Sequence, residues 1–494
     1  MKLLKTLALS LMTMSQLFAQ KPSLESPLVV IERSIKALGG KDKINSIQNL
    51  QLTGYGYRNA MEQSERFEGP YIPSSFNFKT ILDFKDTLEQ YTARQQDFTF
   101  DSNFKYLVDN SAVIMQARGR SIPWPQDQTI QDDLYLNPLF VLDKASASSS
   151  LTSLTDSVIQ SLPHKRLKFF WNKYPIIISI NPNTYLPTML EIEKPYNDSY
   201  LNVWGDLKKV VHYSFWDLLE NGVHYPLQKD IYFLGKLWES SVIAQAKINQ
   251  PLSADSLRIA SEAKKNALNF NVETEARILK MTTVKKEIAK NVWLIPGLCN
   301  STVIKQSDGL TIIESPNSSS NTDQILEQAK KLFPGLAVKH IITTSDAWLH
   351  CGGVRSAALA ANVIALNENK EIIQALLKAN YKTNPDAWQK NRTKKPSITY
   401  VKGRTMFGSG ANRVELIPYC TEAGERMMMA YFPEHKLLYA SDLLQPGNWE
   451  KHYTLEVIQA VEREKLAVDM VYAMHMTPTK YQEIVNSMKA YLPE

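Results

Sequence analysis

Cysteine is scarce in this chain of 494 residues, which contains only Cys299, Cys351 and Cys420. So few cysteines exclude a fold that depends on a disulfide framework, although one pair could still form a bridge. Long apolar runs are also missing after the first 20 residues, and about 20 consecutive apolar residues are needed to cross a bilayer. The sequence therefore predicts a globular protein without a transmembrane segment.

A strong excess of charge of either sign is also missing. The chain has 56 Lys and Arg against 50 Asp and Glu, and the formal net charge is +6. No dense basic run appears, so we do not expect a nucleic-acid partner. The length exceeds what one hydrophobic core usually holds, which predicts two or three domains.

The first 20 residues have the composition of a Sec signal peptide. Lys2 and Lys5 precede an apolar stretch from Leu7 to Met14, and Ala19 offers a small residue for cleavage. The apolar stretch is too short to span a bilayer. We therefore expect a signal peptide over 1–20 and a protein that is periplasmic or secreted.

Residues 21–254 are predicted to form a β-rich N-terminal domain. An amphipathic helix over 24–40 is followed by aromatic and β-branched segments separated by turn pairs such as Asn221-Gly222. This order predicts an antiparallel sheet wrapped on a helix. The stretch from Phe215 to Pro251 resembles in pattern the last strands of lipoprotein-carrier-like half-barrels.

Aromatic residues of this half suggest two alternatives. They could line a cavity for a lipid-like ligand between sheet and helix, or they could simply pack in the core, which needs fewer assumptions. The residues concerned are Tyr55, Tyr57, Phe98, Phe100, Phe169, Phe170 and Trp171.

A charged segment over 255–283 is predicted to be a helical linker, and from residue 284 strands and helices alternate. A hairpin about Asp308-Gly309 is followed by a helix over 321–333 and a buried strand over 338–343. This alternation indicates a sheet covered by helices, and we assign it to a second domain over 284–494.

The loop after that strand carries a resemblance to a known family. Residues 341–358 read IITTSDAWLHCGGVRSAA. This stretch resembles the metallo-β-lactamase superfamily, in which a strand ends in His-x-His-x-Asp-His before Gly-Gly and a helix. The Gly-Gly pair and His350 match, whereas Ser345, Ala347 and Leu349 stand at the other three ligand positions.

Two later segments extend the resemblance. Asp442 follows a strand-turn-strand pattern at the family's bridging carboxylate position, and His475 matches the terminal histidine. The middle histidine is missing, and only Cys420 or Glu422 lies near its place. The resemblance covers roughly 284–490 and implies an α+β fold class, with a C-terminal αβ/βα sandwich preceded by the antiparallel β-rich domain.

The resemblance implies that the losses fall on the first metal position. His350, Asp442 and His475 remain at the second, and two histidines with one carboxylate are a sufficient set for one Zn²⁺, or for Fe or Mn. Asp346 and Glu422 are candidate catalytic or supplementary groups. Alternatively, these residues form a metal-free polar network, or Asp442 and one histidine act as a general base.

Other reactive or charged side chains fit simpler roles. Cys351 and Cys420 are possible nucleophiles, but a small buried residue is the expected role of Cys351 at the start of a helix. An anionic substrate could contact arginines of this half, although surface solvation explains each of them separately. These arginines are Arg404, Arg413 and Arg426.

Two functions remain open on the sequence. One is an exported hydrolase-like protein of the metallo-β-lactamase fold that uses a single metal and water to hydrolyse an ester, amide or phosphoester of a small-molecule or lipid-like substrate. The other is a non-catalytic periplasmic binding or scaffold protein that has lost its metal.

Overall fold

The computed structural model describes most of the chain. The described residues are 25–61, 69, 71–96, 101–117, 119–125, 129, 131–196, 199–253, 255–268, 285–420, 426–446 and 451–491. The predicted signal peptide over 1–20 and Glu422 lie outside them. No helix within the described ranges has both the length and the apolar character needed to cross a membrane.

The chain divides into two compact units. The N-terminal unit comprises 1–59, 73–194 and 207–268, and the C-terminal unit comprises 60–72, 195–206 and 269–494. The short segment 195–206 belongs to the second unit because its backbone and side chains bond there: the Tyr381 hydroxyl donates to Val203 O at 2.7 Å, and Gly205 forms a β-bridge with Asn380.

The described part of the N-terminal unit is dominated by one sheet of thirteen strands in the order β6-β5-β4-β3-β2-β1-β13-β12-β11-β10-β9-β8-β7. Neighbouring strands pair antiparallel, as in β2–β3 and β12–β13. The strands are β1 Asn49–Ala60, β2 Ile72–Asp83, β3 Leu88–Gln96, β4 Asp101–Val108, β5 Ala112–Ala117, β6 Arg120–Pro125, β7 Thr152–Ile159, β8 Leu162–Trp171, β9 Tyr174–Ile180, β10 Pro187–Pro195, β11 Asp206–Leu218, β12 His224–Phe233 and β13 Lys236–Ile248.

The described part of this unit contains few helices, and the first of them ends by ordinary capping rules. Helix α1 spans Pro27–Ala37, where Ser26 caps the first turn and Gly39 leaves the helix with a φ of 123°. Such a positive φ favours glycine, so the predicted helix end is confirmed. The other helices are α2 Lys41–Asn45, α3 Pro138–Ser146 and α4 Ser261–Leu268. Of the predicted helical linker over 255–283, α4 is helical, 255–260 are turn and coil, and 269–283 lies outside the described residues.

The aromatic residues that were candidates for a cavity are not grouped together. Tyr55, Tyr57 and Phe170 are 56%, 40% and 47% exposed, whereas Phe169 is buried. Alternate residues of a strand point to opposite faces of the sheet, so neighbours such as Phe169 and Phe170 separate. The prediction that these aromatics together line a cavity or fill a core is wrong for the exposed three, and Phe98 and Phe100 lie outside the described residues.

The C-terminal unit contains two sheets. The first has the order β14-β15-β16-β17-β18-β19-β20, and the second β21-β22-β23-β24-β25-β26. Their strands are β14 Lys286–Ala289, β15 Val292–Ile295, β16 Ser301–Gln306, β17 Gly309–Ile313, β18 Val338–Ile342, β19 Asn362–Leu366, β20 Ile398–Val401, β21 Thr405–Phe407, β22 Val414–Cys420, β23 Arg426–Phe432, β24 Leu437–Tyr439, β25 Met470–Tyr472 and β26 Thr479–Lys480.

Buried apolar residues from both sheets form one shared core. Ile313 of β17 and Ile342 of β18 belong to the same cluster as Met428 of β23 and Tyr439 of β24. The opposite face of the second sheet packs against two helices, α10 Lys451–Arg463 and α11 Tyr481–Ser487. The two sheets therefore face each other across an apolar layer.

Helices also cover the first sheet. They are α5 Ser319–Leu332, α6 Trp348–Cys351, α7 Val354–Ala360, α8 Lys370–Lys378 and α9 Ala387–Lys390. Helix α7 contacts β19 and α5. The predicted hairpin about Asp308-Gly309, the helix near 321–333 and the strand near 338–343 are confirmed as β16–β17, α5 and β18.

Candidate functional site

Polar side chains gather where four strands of the C-terminal unit end. Strands β17 and β18 run parallel, as do β24 and β25, so the carboxyl ends of each pair lie at the same edge of their sheet. Glu314 follows β17, Thr344 and His350 follow β18, Asp442 follows β24, and His475 follows β25. We call this group of five residues, together with Asp346, the edge cluster.

Glu314 is the centre of the edge cluster, and its role was missed by sequence reasoning. Its side chain is fully buried, and its φ is 74°, a left-handed backbone that an L side chain rarely adopts. One oxygen, Oε1, accepts hydrogen bonds from the Tyr439 hydroxyl at 2.9 Å and from the Thr344 hydroxyl. The other accepts the backbone N–H of Thr344 at 3.3 Å. A buried carboxylate requires such partners.

His350 is held by this carboxylate. Its Nδ1 lies 3.1 Å from Glu314 Oε1 and 3.2 Å from the Thr344 hydroxyl, and the residue is fully buried. A carboxylate acts only as an acceptor, so Nδ1 carries the proton in this contact. Thr344 also contacts the Ser441 hydroxyl at 2.7 Å, which links the loop after β18 to the loop after β24.

Asp442 and His475 form a second contact within the cluster. His475 Nε2 lies 3.4 Å from Asp442 Oδ1, and Gln445 Nε2 donates to the same oxygen at 2.6 Å. The other ring nitrogen, Nδ1, donates to the Leu298 carbonyl at 2.7 Å. Two of the three predicted metal ligands are thus adjacent, and each is oriented by a further partner.

Burial raises the pKa of the Asp442 carboxyl, and the charge of Glu314 raises it further. The positive charges that His475 and His350 can carry act in the opposite direction, as does the hydrogen bond from Gln445. The structure thus places His350 close enough to influence Asp442 electrostatically. The pKa of this carboxyl group in the folded protein therefore lies above that of an exposed aspartate.

Asp346 lies in the same loop as His350 and is also buried. Burial raises the pKa of its carboxyl to about 6, whereas the charge of Arg426 lowers it. Its Oδ1 lies 3.5 Å from the Ser345 hydroxyl, which is the donor. Asp346 was predicted as a catalytic or supplementary group, and the structure gives it the burial and the cationic neighbour that perturb such groups.

The Gly-Gly pair of the loop has a packing reason. A Cβ on Gly352 would overlap the carbonyl oxygen of Asn317, and a Cβ on Gly353 would overlap the Thr322 side chain. The loop therefore lies directly against the start of α5, where any larger residue would push it away. This close approach positions His350 over Glu314.

The residues present do not fit a metal ion. Within the described ranges, no group of three or more His, Cys, Asp or Glu side chains could hold one. Ser345 and Ala347, at two of the lost ligand positions, are buried. Within the described residues, the predicted set of His350, Asp442 and His475 is therefore not assembled as three ligands.

Other candidates from the sequence have ordinary partners. Cys351 is fully buried in α6, and its thiol donates to the Asp346 and Ala347 carbonyls at 3.3 Å. Burial also raises the pKa of the Cys299 thiol, which makes it a poor nucleophile.

Arg404 is ion-paired with Glu415 at the surface. Cys420 ends β22, Arg413 is exposed, and Arg426 donates to the Glu368 carbonyl at 2.8 Å.

This chain is similar to several proteins of known structure. No family model matches the chain, and no curated protein matches it. A stereoselective inverting sec-alkylsulfatase from Pseudomonas sp. is 16% identical with a TM-score of 0.32, over 42% of this chain and 40% of that one, so this chain spans less than half its length.

Two further solved structures are similar over the same share of this chain. A metallo-β-lactamase from Pontibacter korlensis is 16% identical with a TM-score of 0.33, over 42% of this chain and 96% of that one. The flavodiiron protein from Giardia intestinalis is 11% identical with a TM-score of 0.33, over 42% of this chain and 59% of that one.

Proposed function

We propose that the C-terminal unit is a hydrolase-like domain with the αβ/βα sandwich of the metallo-β-lactamase fold. Two facing sheets, α5 and α7 on one side and α10 and α11 on the other, support this proposal. So does the edge cluster, which lies after β17, β18, β24 and β25, where the resemblance places the family's site. Its substrate is a small molecule with an ester, amide or phosphoester bond.

The contact between Asp442 and His475 is the observation that carries the proposed chemistry. Because Nδ1 of His475 donates to Leu298, Nε2 is the ring nitrogen that can accept a proton, and the Asp442 carboxylate 3.4 Å away stabilises the imidazolium that forms. A water molecule within reach of Nε2 loses its proton to the ring as its oxygen attacks the substrate carbon or phosphorus. The leaving group then takes that proton when its bond breaks.

The remainder of the edge cluster positions this pair. Glu314 binds the loop after β18 through Thr344 and His350, and Thr344 reaches Ser441, the residue before Asp442. A shift of the loop after β18 would therefore move Asp442. Positioning of this kind can decide the rate because reacting groups must be held to within a fraction of an ångström.

The test is hydrolysis of p-nitrophenyl acetate, butyrate and phosphate by the purified full chain, with and without EDTA. We expect turnover that chelation leaves unchanged, and less than about a tenth of an equivalent of Zn, Fe or Mn by elemental analysis. Asp442→Asn keeps the shape of the side chain, and His475→Gln keeps a polar group of similar length without a base; each should lower kcat/KM by about 100-fold or more. His435→Gln, whose histidine contacts Asn412 elsewhere in the unit, serves as the control.

Each other outcome contradicts the proposal in a different way. A stoichiometric metal whose removal abolishes turnover would instead support the single-metal reading with His350, Asp442 and His475. Saturable ligand binding without turnover of any ester would support a binding or scaffold protein. Equal activity of the His435→Gln and His475→Gln variants would remove His475 from the reaction.

We further propose that the chain is exported to the periplasm or secreted through residues 1–20, as Lys2, Lys5 and the apolar stretch after them suggest. N-terminal sequencing of the mature protein from a periplasmic extract should begin shortly after Ala19, at Gln20 or Lys21. An unprocessed protein confined to the cytoplasm would contradict this proposal. We also propose that the sheet of the N-terminal unit wraps on a helix, like the lipoprotein-carrier half-barrels it resembles.

A further inference from the structure

The N-terminal unit contains a cavity of about 60 Å³ that the hydrolase proposal does not use. Its wall includes Arg58 on β1, Tyr91 on β3, Lys229 on β12, Trp238 and Glu239 on β13, and Asp133 from the segment before α3. A water needs about 10–15 Å³ of such volume, so the cavity holds roughly five waters or a small ligand group.

The acidic residues of this wall already have cationic partners. Arg58 donates from Nε and Nη2 to Glu239 Oε2 at 3.2 and 2.5 Å. Lys229 donates to Asp133 Oδ1 at 2.8 Å. We call these four residues the cavity cluster. Because both carboxylates are engaged, the wall offers few further acceptors to a ligand.

Hydrogen-bond donors are left over. The guanidinium of Arg58 has five N–H groups, of which three take part in the bonds to Glu239 and Gln95. The ammonium of Lys229 has three, one of which bonds Asp133. The hydroxyl of Tyr91 has no hydrogen-bond partner among the described residues, although Tyr91 is only 7% exposed. Because Tyr91 lines the cavity, a ligand oxygen there could accept a hydrogen bond from this hydroxyl.

The charge around the cavity also favours an anion. Lys194 and Lys209 both pair with Asp132 nearby. Together with the cavity cluster and Glu89, this group contains four cations and four acids. The cations are Arg58, Lys194, Lys209 and Lys229, and the acids are Glu89, Asp132, Asp133 and Glu239. Glu89 accepts a hydrogen bond from Gln131 of the cavity wall at 2.5 Å, and burial raises its pKa to about 8. At neutral pH Glu89 is therefore mostly protonated, and one positive charge lacks a counter-charge.

A second cavity of about 50 Å³ adjoins the first. Lys229 and Asp133 line both, whereas the remaining wall of the second is largely apolar and includes Leu52, Phe78 and Ile243. A polar cavity rich in donors thus borders an apolar one. This arrangement suits a ligand with an anionic head and a short apolar body.

We propose that these two cavities form a binding site for a small amphipathic monocarboxylate. The carboxylate lies against Arg58, Lys229 and Tyr91, which donate to its oxygens, and the hydrocarbon body lies in the apolar cavity beyond Lys229. The volumes fit a chain of a few carbons. The site belongs to the N-terminal unit alone and does not depend on the hydrolase proposal.

The test is isothermal titration of the full chain with acetate, butyrate, hexanoate and dodecanoate, with hexylamine and hexanol as matched probes without the anion. We expect saturable hexanoate binding with a Kd at or below about 1 mM, weaker binding of acetate, and none of hexylamine. Dodecanoate distinguishes a free short acid from a lipid chain, because it exceeds the cavity and should bind more weakly than hexanoate.

Two tyrosine variants separate ligand binding from a structural role. Tyr91→Phe keeps the ring and removes only the hydroxyl without a protein partner, so hexanoate affinity should fall about 10-fold while the urea midpoint of unfolding stays or rises. Tyr57→Phe, on the exposed side of β1, should change neither. Equal affinities in the two variants, hexylamine binding as well as hexanoate, or no saturation by any acid would overturn the proposal.

Discussion

The two polar clusters of this protein differ in how their charges are compensated. In the cavity cluster, Arg58 and Lys229 each hold an acid through direct hydrogen bonds. In the edge cluster, the carboxyl groups of Glu314, Asp346 and Asp442 face hydroxyls, backbone N–H groups and histidines. Arginine and lysine stay charged at neutral pH, whereas histidine changes its charge there.

This difference separates two uses of buried polarity. Directly paired charges fix a cavity and its donors, since removal of either partner leaves a charge buried alone. Asp346 and Asp442 lie near histidines, and burial raises the pKa of each carboxyl group. This contrast supports the two proposals, ligand binding at the cavity cluster and proton transfer at the edge cluster.

The largest effect should come from breaking the cavity cluster. Arg58→Met leaves Glu239, whose side chain is 6% exposed, without its guanidinium partner. We expect a loss of about 3–5 kcal/mol in the free energy of unfolding, measured by urea titration with circular dichroism. Arg94→Met removes an exposed pair with Asp101 in the same sheet and should cost at most about 1 kcal/mol. Similar losses in the two variants would mean that burial does not distinguish the pairs.

A smaller loss should follow removal of the hub of the edge cluster. Glu314→Ala leaves the donors of Tyr439, Thr344 and His350 without their shared acceptor, which should cost about 2–4 kcal/mol by the same titration. Glu327→Ala, an exposed glutamate of α5, should stay within about 0.5 kcal/mol of the parent. If the two variants were equally stable, Glu314 would not be the structural centre of the cluster.

The smallest effect is expected in the pH dependence of the free energy of unfolding. It arises from Glu89, the protonated acid beside the cavity. Burial raises the pKa of Glu89 in the folded protein from 4.5 to about 8. Between these values the folded state retains a proton that the unfolded state has released, so this group's stabilisation is present below about pH 4.5 and is lost as the pH rises through about 8. The slope is at most about 1.4 kcal/mol per pH unit.

Glu89→Gln removes this titration. Its free energy of unfolding, measured by urea titration at several pH values, should fall about 2 kcal/mol less than that of the parent between about pH 6 and pH 7.5. Parallel pH curves for the two proteins would show that Glu89 is ionised in the folded state. The net positive charge that favours an anion in the cavity would then be absent.

Much of the local structure was predictable from spacing. Asp308-Gly309 marks the β16–β17 hairpin, and Gly352-Gly353 follows the loop after β18, because turn residues and glycines act through their own backbone conformations or their immediate neighbours. Asp442 and His475 were instead identified from the resemblance, and they stand three residues after β24 and β25. Their contact was expected from the resemblance, not from spacing.

Glu314 could not be found in this way. It stands in no recognised motif, and its partners Thr344, His350 and Tyr439 lie 30 to 125 residues further along the chain. The only signal was a carboxylate directly after the buried strand β17. This strand lies beside β18, which precedes the predicted site. Without the order of the strands in the sheet, that signal cannot be distinguished from an ordinary turn residue.

The sequence alone determined the many hairpins of the first half and the alternation of strands and helices in the second. It also predicts an export signal and, through the resemblance, the replacement of most metal ligands. The tertiary structure decided which charges meet. Arg58 and Glu239 are 181 residues apart and pair because β1 and β13 are neighbours in register. Hairpins depend on local backbone preferences, whereas such pairs depend on long-range strand order, which no short pattern encodes.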